Sequence, residues 1–160
     1  MKFKSIKEFK KNLNKRIIEN PIENSTKVVT RSTMLVQNTA KNSIMKGGAG
    51  ETVQRYEPRR THTVSKPLDP PANDTGFLVS QITMNVKPQP NGSVVGQIIS
   101  SAPYSAALEF GTTQMTERPF MQPALEQNKR KIVDMFKKEG LIKWVLDSFN
   151  YKVLYILLLM

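Results

Sequence analysis

The stretch LEFGTTQMTERPFMQPALE, residues 108–126, decides the fold because it joins the end of one helix to the start of another. Gly111 is placed to end a short helix over residues 102–111, since glycine is favoured just after a helix C-terminus. Pro123 suits the first turn of the following helix, where a missing N–H removes no helical hydrogen bond. An apolar stripe along that second helix is formed by Leu125, Ile132, Val133 and Phe136.

The loop between these two helices is rich in residues that specify a shape. Phe110 and Phe120 are expected to attach it to the core, and full burial of each ring would contribute about 1.5–3 kcal/mol. Glu109 and Arg118 are suitably spaced to form an ion pair, within the subunit or across a subunit interface. We therefore interpret this stretch as a turn that fixes the shape of the loop, with no catalytic role.

A hairpin is predicted upstream, over residues 81–100. Two alternating runs, QITMNVKP and SVVGQIIS, flank a turn that contains Asn91 and Gly92. Gly96 inside the second run indicates either a bulge or a close approach of another backbone. Before the hairpin, NDTGFLVSQI is typical of a short helix, with Asp74 able to accept a backbone N–H at its start.

Two helices are predicted in the N-terminal part. Residues 3–18 show apolar positions at steps of three and four, with lysines on the other face. A second helix should run from about Pro21 or Ser25 to Met45 and stop at KGGAG. Its apolar side is formed by Val29, Val36, Ala40 and Ile44.

The remaining segments show no clear periodicity. Residues 46–72 are expected to form a long irregular arm, ordered by neighbours or not at all. Residues 141–160 are an apolar C-terminal segment that fits a helix or a strand. Its last part, VLYILLLM at 153–160, is aggregation-prone if exposed and is expected to dock on a partner or on its own domain. The whole chain is predicted to be one domain, with 1–45 as N-terminal helices and 73–140 as its central part.

The net charge of +11 is concentrated near the N-terminus, where residues 1–16 carry seven lysines and arginines against Glu8 alone. Such a balance favours contact with DNA phosphates or with an acidic protein surface, while a solvated basic face is the simpler alternative. The apolar tail is too short to span a bilayer, so no membrane partner is expected. The candidate DNA-facing residues are Lys2, Lys4, Lys7, Lys10, Lys11, Lys15 and Arg16.

No constellation of residues predicts catalysis, a metal site or a cofactor site. The chain has no cysteine, which excludes disulfides and thiolate metal sites, and its single histidine is His62. We interpret His62 as an isolated surface residue of the arm. No phosphate-binding glycine loop is present. We therefore expect a non-enzymatic protein without cofactors.

The segment 73–132 resembles the gp-ten-like family of small tail-component proteins in long-tailed bacteriophages. The similarity lies in an aspartate-threonine-glycine with a nearby leucine and serine, a glutamate-phenylalanine-glycine-threonine, and a proline-phenylalanine followed by proline-alanine-leucine. The long arm and the apolar tail are outside that family pattern. The matching positions are Asp74, Thr75, Gly76, Leu78, Ser80, Tyr104, Glu109, Phe110, Gly111, Thr112, Pro119, Phe120, Pro123, Ala124 and Leu125.

The resemblance implies an α+β fold with a small antiparallel sheet flanked by helices. It also implies a ring, a hexamer or a dodecamer, in the virion neck where head and tail join, made in the host cytoplasm. The partners would be portal, adaptor or head-completion proteins on one side and tail-terminator or tail-tube proteins on the other. Genomic DNA would pass through the channel without sequence-specific binding. The expected interface or structural residues are Asp74, Gly76, Leu78, Tyr104, Glu109, Phe110, Gly111, Arg118, Pro119, Phe120 and Pro123.

Three alternatives stay open at this stage. In the first, the chain is a tail terminator or a minor tail component, since tail terminators share the same architecture. A nonspecific DNA-binding accessory protein would use the basic N-terminal helix. A host-directed enzyme or inhibitor would be free in infected cells and missing from virions.

Overall fold

The computed structural model describes residues 20–56, 58–139, 141 and 158–159, with residues 6, 7, 10 and 12 near the N-terminus. The described chain has an α+β fold, which confirms the predicted class. The helices are α1 (Asn20–Lys46), α2 (Phe77–Ser80), α3 (Ser105–Phe110) and α4 (Met121–Lys138). The strands are β1 (Thr52–Tyr56), β2 (Arg59–Thr63), β3 (Ile82–Pro88), β4 (Val94–Ser100) and β5 (Leu158–Leu159).

Helix α1 is the central element of the fold, because it packs against β3, β4 and α4. Its predicted end at the KGGAG segment is confirmed, since it stops at Lys46. Its buried face includes two hydroxyl side chains. Thr33 Oγ1 donates to the Val29 carbonyl of the same helix at 2.8 Å, and Ser32 Oγ donates to Met135 Sδ of α4 at 3.7 Å. The buried positions are Val28, Ser32, Thr33, Val36, Ala40 and Ile44, whereas Val29 is only partly buried.

The predicted hairpin over 81–100 is confirmed as β3 paired antiparallel with β4, from Ile82↔Ser100 to Pro88↔Val94. The turn adopts a left-handed conformation at Gly92 (φ 79°), which glycine reaches without steric cost. Strand β5 runs parallel to β4 along its other edge, in the register Ile98↔Leu158. Part of the apolar tail thus pairs within its own chain.

Gly96 permits the close approach of α1 to the hairpin. The strand pairing continues through Val86↔Gly96, so there is no bulge at this position. A Cβ on Gly96 would lie 2.8 Å from Val29 Cγ1 and closer still to Thr33 Oγ1. Of the two predicted explanations for this glycine, the close approach is therefore the correct one.

Helix α4 closes the core against α1. Pro123 lies in its first turn, as predicted, and Phe120 immediately before it is fully buried. Asn128 is buried as well, and its Nδ2 donates to Thr39 Oγ1 of α1 at 2.8 Å. The same Nδ2 group donates to the Ala124 carbonyl at 2.8 Å, so the buried amide is satisfied within α4 and also links α4 to α1. The other buried residues of α4 are Met121, Ala124 and Ile132, with Leu125 and Phe136 packed at the margin.

The prediction of an irregular arm over 46–72 is wrong for residues 52–63. They form an antiparallel hairpin, β1–β2, in the register Thr52↔Thr63 to Tyr56↔Arg59. Strand β1 is exposed throughout, and the inward side chains of β2 are the polar Arg60 and His62, 35% and 11% exposed. Since no apolar core covers the hairpin, it needs no apolar alternation, and the usual strand signal is missing from its sequence.

Several predictions fall partly or wholly outside the described residues. Of the predicted helix over 3–18, only residues 6, 7, 10 and 12 are described, and these are helical. Among the candidate DNA-facing residues, only Lys7 and Lys10 are described, and both are exposed. No helix in the described part of the chain is long and apolar enough to cross a membrane.

Candidate functional site

Glu109 is the buried anchor of the stretch that decides the fold. It lies in α3 and is only 3% exposed. Its Oε2 accepts the backbone N–H groups of Phe120 at 2.8 Å and Met121 at 3.0 Å, and its Oε1 accepts that of Gln122 at 2.8 Å. A carboxylate here satisfies N–H groups that a helix start leaves unpaired and interacts favourably with the helix dipole.

This arrangement corrects the hypothesis that Glu109 pairs with Arg118. Both carboxylate oxygens are bonded to backbone amides of α4, and Arg118 has no acid within ion-pair distance among the described residues. Instead, the Arg118 backbone N–H donates to the Leu108 carbonyl at 2.6 Å. The loop is therefore closed by a main-chain hydrogen bond, and the Arg118 side chain forms no ion pair with the described residues.

The expectation that both phenylalanines attach the loop to the core is half correct. Phe120 is fully buried, but Phe110 is 67% exposed. Helix α3 turns Ser105 and Glu109 inward, and Phe110, one residue further, falls on the outer side. Gly111 ends the helix as predicted, with φ 72°, and a Cβ there would lie 2.9 Å from Glu117 N.

A pocket of about 350 Å³ lies beside this loop. It is bounded by the base of the β1–β2 hairpin, the segment 71–78 and the α3 region. Five of the predicted interface or structural residues meet in it or at its margin, although they span 45 positions of sequence: Asp74, Gly76, Leu78, Tyr104 and Arg118.

Asp74 holds the hairpin against the rest of the fold. Its Oδ1 lies 2.7 Å from Arg60 Nη2, and its Oδ2 lies 3.5 Å from Arg55 Nη2. The prediction that Asp74 caps the short helix is wrong. Thr75 Oγ1 accepts the Phe77 N–H at 3.3 Å, and the carboxylate is directed to the arginines of the hairpin.

The interpretation of His62 as an isolated surface residue is also wrong. Its side chain is 11% exposed, and its Nδ1 lies 3.6 Å from Asp74 Oδ1. That separation is longer than a hydrogen bond. No described hydroxyl is hydrogen-bonded to this imidazole, so the pair lacks the bonded nucleophile that general-base catalysis of acyl transfer requires.

Exposed aromatic side chains border the pocket. Phe77 and Tyr104 are 45% and 44% exposed, and their ring centroids are 6.2 Å apart. We call Phe77 and Tyr104 the aromatic surface; Phe110 is exposed but does not line the pocket. Leu68 precedes the pocket-lining segment 71–78 and is exposed. Its φ of 67° is unusual for a residue other than glycine. Its N–H donates to the Glu117 carbonyl at 3.0 Å, which ties the end of the arm to the loop before α4.

The predicted site residues thus divide into two groups. Glu109, Gly111, Phe120 and Pro123 build the buried turn, whereas the pocket group presents charged and aromatic side chains. Sequence reasoning missed Arg55, Arg60 and Phe77 as members of the site. The arginines belonged to a hairpin that was not recognised, and only its TVQRY and RRTHT runs flanking Glu57-Pro58 could have revealed it.

No protein-family model, curated protein or solved structure matches the chain. Among the described residues, no group of three or more histidine, aspartate or glutamate side chains is placed to hold a metal ion.

Proposed function

We propose that this protein is a structural subunit of the phage neck, forming a ring that joins the DNA-filled head to the tail. The observation that carries the proposal is the division of the motif residues. One group forms a rigid buried turn, and the other forms an exposed aromatic surface around a charged pocket. Residues that build an interaction surface on a fixed scaffold are what a ring subunit requires.

The aromatic surface supports an interface. Large aromatic rings supply much of the binding energy in protein contacts, and Phe77 and Tyr104 are 45% and 44% exposed here. The strained backbone of Leu68, whose side chain is 63% exposed, adds to this argument, because such strain concentrates at functional contacts. The projecting β1–β2 hairpin gives each subunit a second element that can reach a neighbour.

The low apolar content of 39% fits the same proposal, because a ring subunit buries part of its apolar surface against its neighbours. A net charge of +11 is compatible with a channel that carries DNA. Basic residues that line such a channel should not bind DNA tightly, since neutralising many phosphates would retard its passage.

Sedimentation velocity tests the proposal on the purified protein, alone and mixed with the connector and tail-tube proteins of its phage. We expect a closed oligomer or a complex with one of these partners. The variants Phe77→Ser and Tyr104→Ser should dissociate it, whereas Met34→Ser, an equally exposed apolar position on α1, should not. A strict monomer that joins no partner would contradict the proposal. Mass spectrometry of purified virions should detect the chain, and its absence there would favour a host-directed protein.

A nonspecific DNA-binding accessory role is the second candidate, carried by the basic residues 1–16. It predicts salt-dependent binding to duplex DNA that disappears when residues 1–16 are deleted. Loss of DNA binding together with an intact oligomer would separate the two functions.

A further inference from the structure

The pocket beside the aromatic surface carries more positive than negative charge. Asp74 is the only acid among the described residues that line it, and Arg60 already makes a short 2.7 Å contact with that carboxylate. Arg55 reaches the same carboxylate only at 3.5 Å and is 53% exposed. Arg118 has no ion-pair partner among the described residues. The guanidinium groups of Arg55 and Arg118 can therefore contact an incoming anionic group. A planar guanidinium group binds carboxylates especially well, because its N–H donors match the two carboxylate oxygens.

The same pocket presents apolar and hydrogen-bond-accepting groups. Phe77 and Tyr104 form its aromatic border, and Leu78 and Leu108 contribute apolar lining. Asp74 retains partial exposure and can accept from an N–H donor. A peptide with acidic and apolar side chains would satisfy all three features, because its backbone supplies donors and its carboxylates supply acceptors. A phosphate backbone supplies acceptors only and would leave Asp74 without a donor.

A second copy of the chain is a poor source of this peptide. Within the helices, Glu23 of α1 contacts Lys27 and Glu126 of α4 contacts Lys129. The exposed acids Glu51, Asp69 and Glu117 each lie apart from other acids in the sequence, so none of them belongs to an acidic segment. The copies also share a net charge of +11. Charge complementarity therefore favours a different protein with an acidic segment.

We propose that this pocket binds an acidic peptide segment of a different protein, with Arg55 and Arg118 contacting its carboxylates and Phe77 and Tyr104 packing on its apolar residues. The inference rests on the proposed function in one respect, namely that this surface is a contact surface. It adds the chemistry of the partner, because a segment that combines acidic and apolar residues is what the pocket would select.

Fluorescence anisotropy tests this with the full chain and a fluorescein-labelled octapeptide of alternating phenylalanine and aspartate. A matched peptide has asparagine in place of aspartate. We expect the aspartate peptide to bind about tenfold more tightly, and Arg118→Gln or Arg55→Gln to weaken it about tenfold each. Arg59→Gln, which removes the same charge from a position outside the pocket lining, should change affinity by less than about twofold. Circular dichroism of each variant verifies folding.

Equal binding of both peptides, or no binding of the aspartate peptide at millimolar concentration, would overturn the inference. Displacement of the peptide by duplex DNA, with DNA affinity itself lost in Arg118→Gln, would assign the pocket to phosphate and also overturn it. Sedimentation of the same samples separates the two proposals. A ring that binds neither peptide removes the inference alone, and a monomer that binds the aspartate peptide removes the ring alone.

Discussion

Replacement of Glu109 by glutamine is the sharpest test of the turn that organises this fold. The carboxylate is 3% exposed and accepts three backbone N–H groups at 2.8–3.0 Å from the start of α4. Glutamine keeps the size of the side chain but has one acceptor oxygen. Its NH₂ group would then face a backbone N–H, so at least one helix-terminal donor loses its partner.

The expected loss of stability follows from these contacts. Leaving one buried donor unsatisfied costs about 1–3 kcal/mol, and losing the favourable charge at the helix start adds about 0.3–1 kcal/mol. We therefore expect Glu109→Gln to lower the free energy of unfolding by about 2–3 kcal/mol. Glu109→Ala removes every acceptor and should be more severe, although water entering the space would limit the loss to about 3–5 kcal/mol.

Urea unfolding followed by circular dichroism measures the effect at one fixed protein concentration, because assembly couples stability to concentration. The matched control is Glu126→Gln in α4, the helix whose start Glu109 caps; the Glu126 carboxylate is 58% exposed and pairs with Lys129. The control should change the free energy of unfolding by less than about 0.5 kcal/mol. If Glu109→Gln is no more destabilising than this control, the capping role assigned to Glu109 is wrong.

Three further changes probe other parts of the account. Gly96→Ala should destabilise the fold by about 1–3 kcal/mol through overlap with α1, and adding Thr33→Ala should recover part of that loss in a double-mutant cycle measured by urea unfolding. Asp74→Asn should change global stability by less than about 1 kcal/mol. Amide hydrogen exchange in the β1–β2 hairpin should nevertheless become faster, because the contact of Asp74 with Arg60 is weakened; unchanged exchange would argue that this contact does not hold the hairpin in place. Truncation after Asn150 removes the strand that pairs with β4 and should impair assembly or cause aggregation, whereas a soluble oligomer of unchanged mass would contradict this expectation.

The elements with one buried face could be predicted from the sequence. Helix α1, the β3–β4 hairpin and helix α4 each repeat apolar residues at the period of their structure, while Gly111 marks the end of α3 and Pro123 the first turn of α4. The β1–β2 hairpin could not be found in this way, because the side chains that it turns inward are polar and no apolar core selects for alternation. Apolar periodicity therefore predicts secondary structure only for elements that pack against the core.

Some residues of the candidate site could be predicted from the sequence, but their arrangement in space could not. Asp74, Tyr104 and Arg118 were singled out, but their meeting around one pocket depends on tertiary contacts between distant segments. Asp74 and Glu109 were each assigned the wrong partner. Sequence patterns predict helix caps and ion pairs between residues that are close in sequence. Glu109 instead bonds amides 11–13 residues away, and Asp74 contacts arginines of a hairpin that precedes it in the chain.

Cryo-electron microscopy of the assembled protein tests the central claim most directly. The account predicts a closed ring with a central opening wide enough for duplex DNA, in which Phe77 and Tyr104 lie at a contact with another subunit or with the next protein of the neck. A particle without a central opening, or a ring in which both side chains remain in solvent on every contact face, would contradict it.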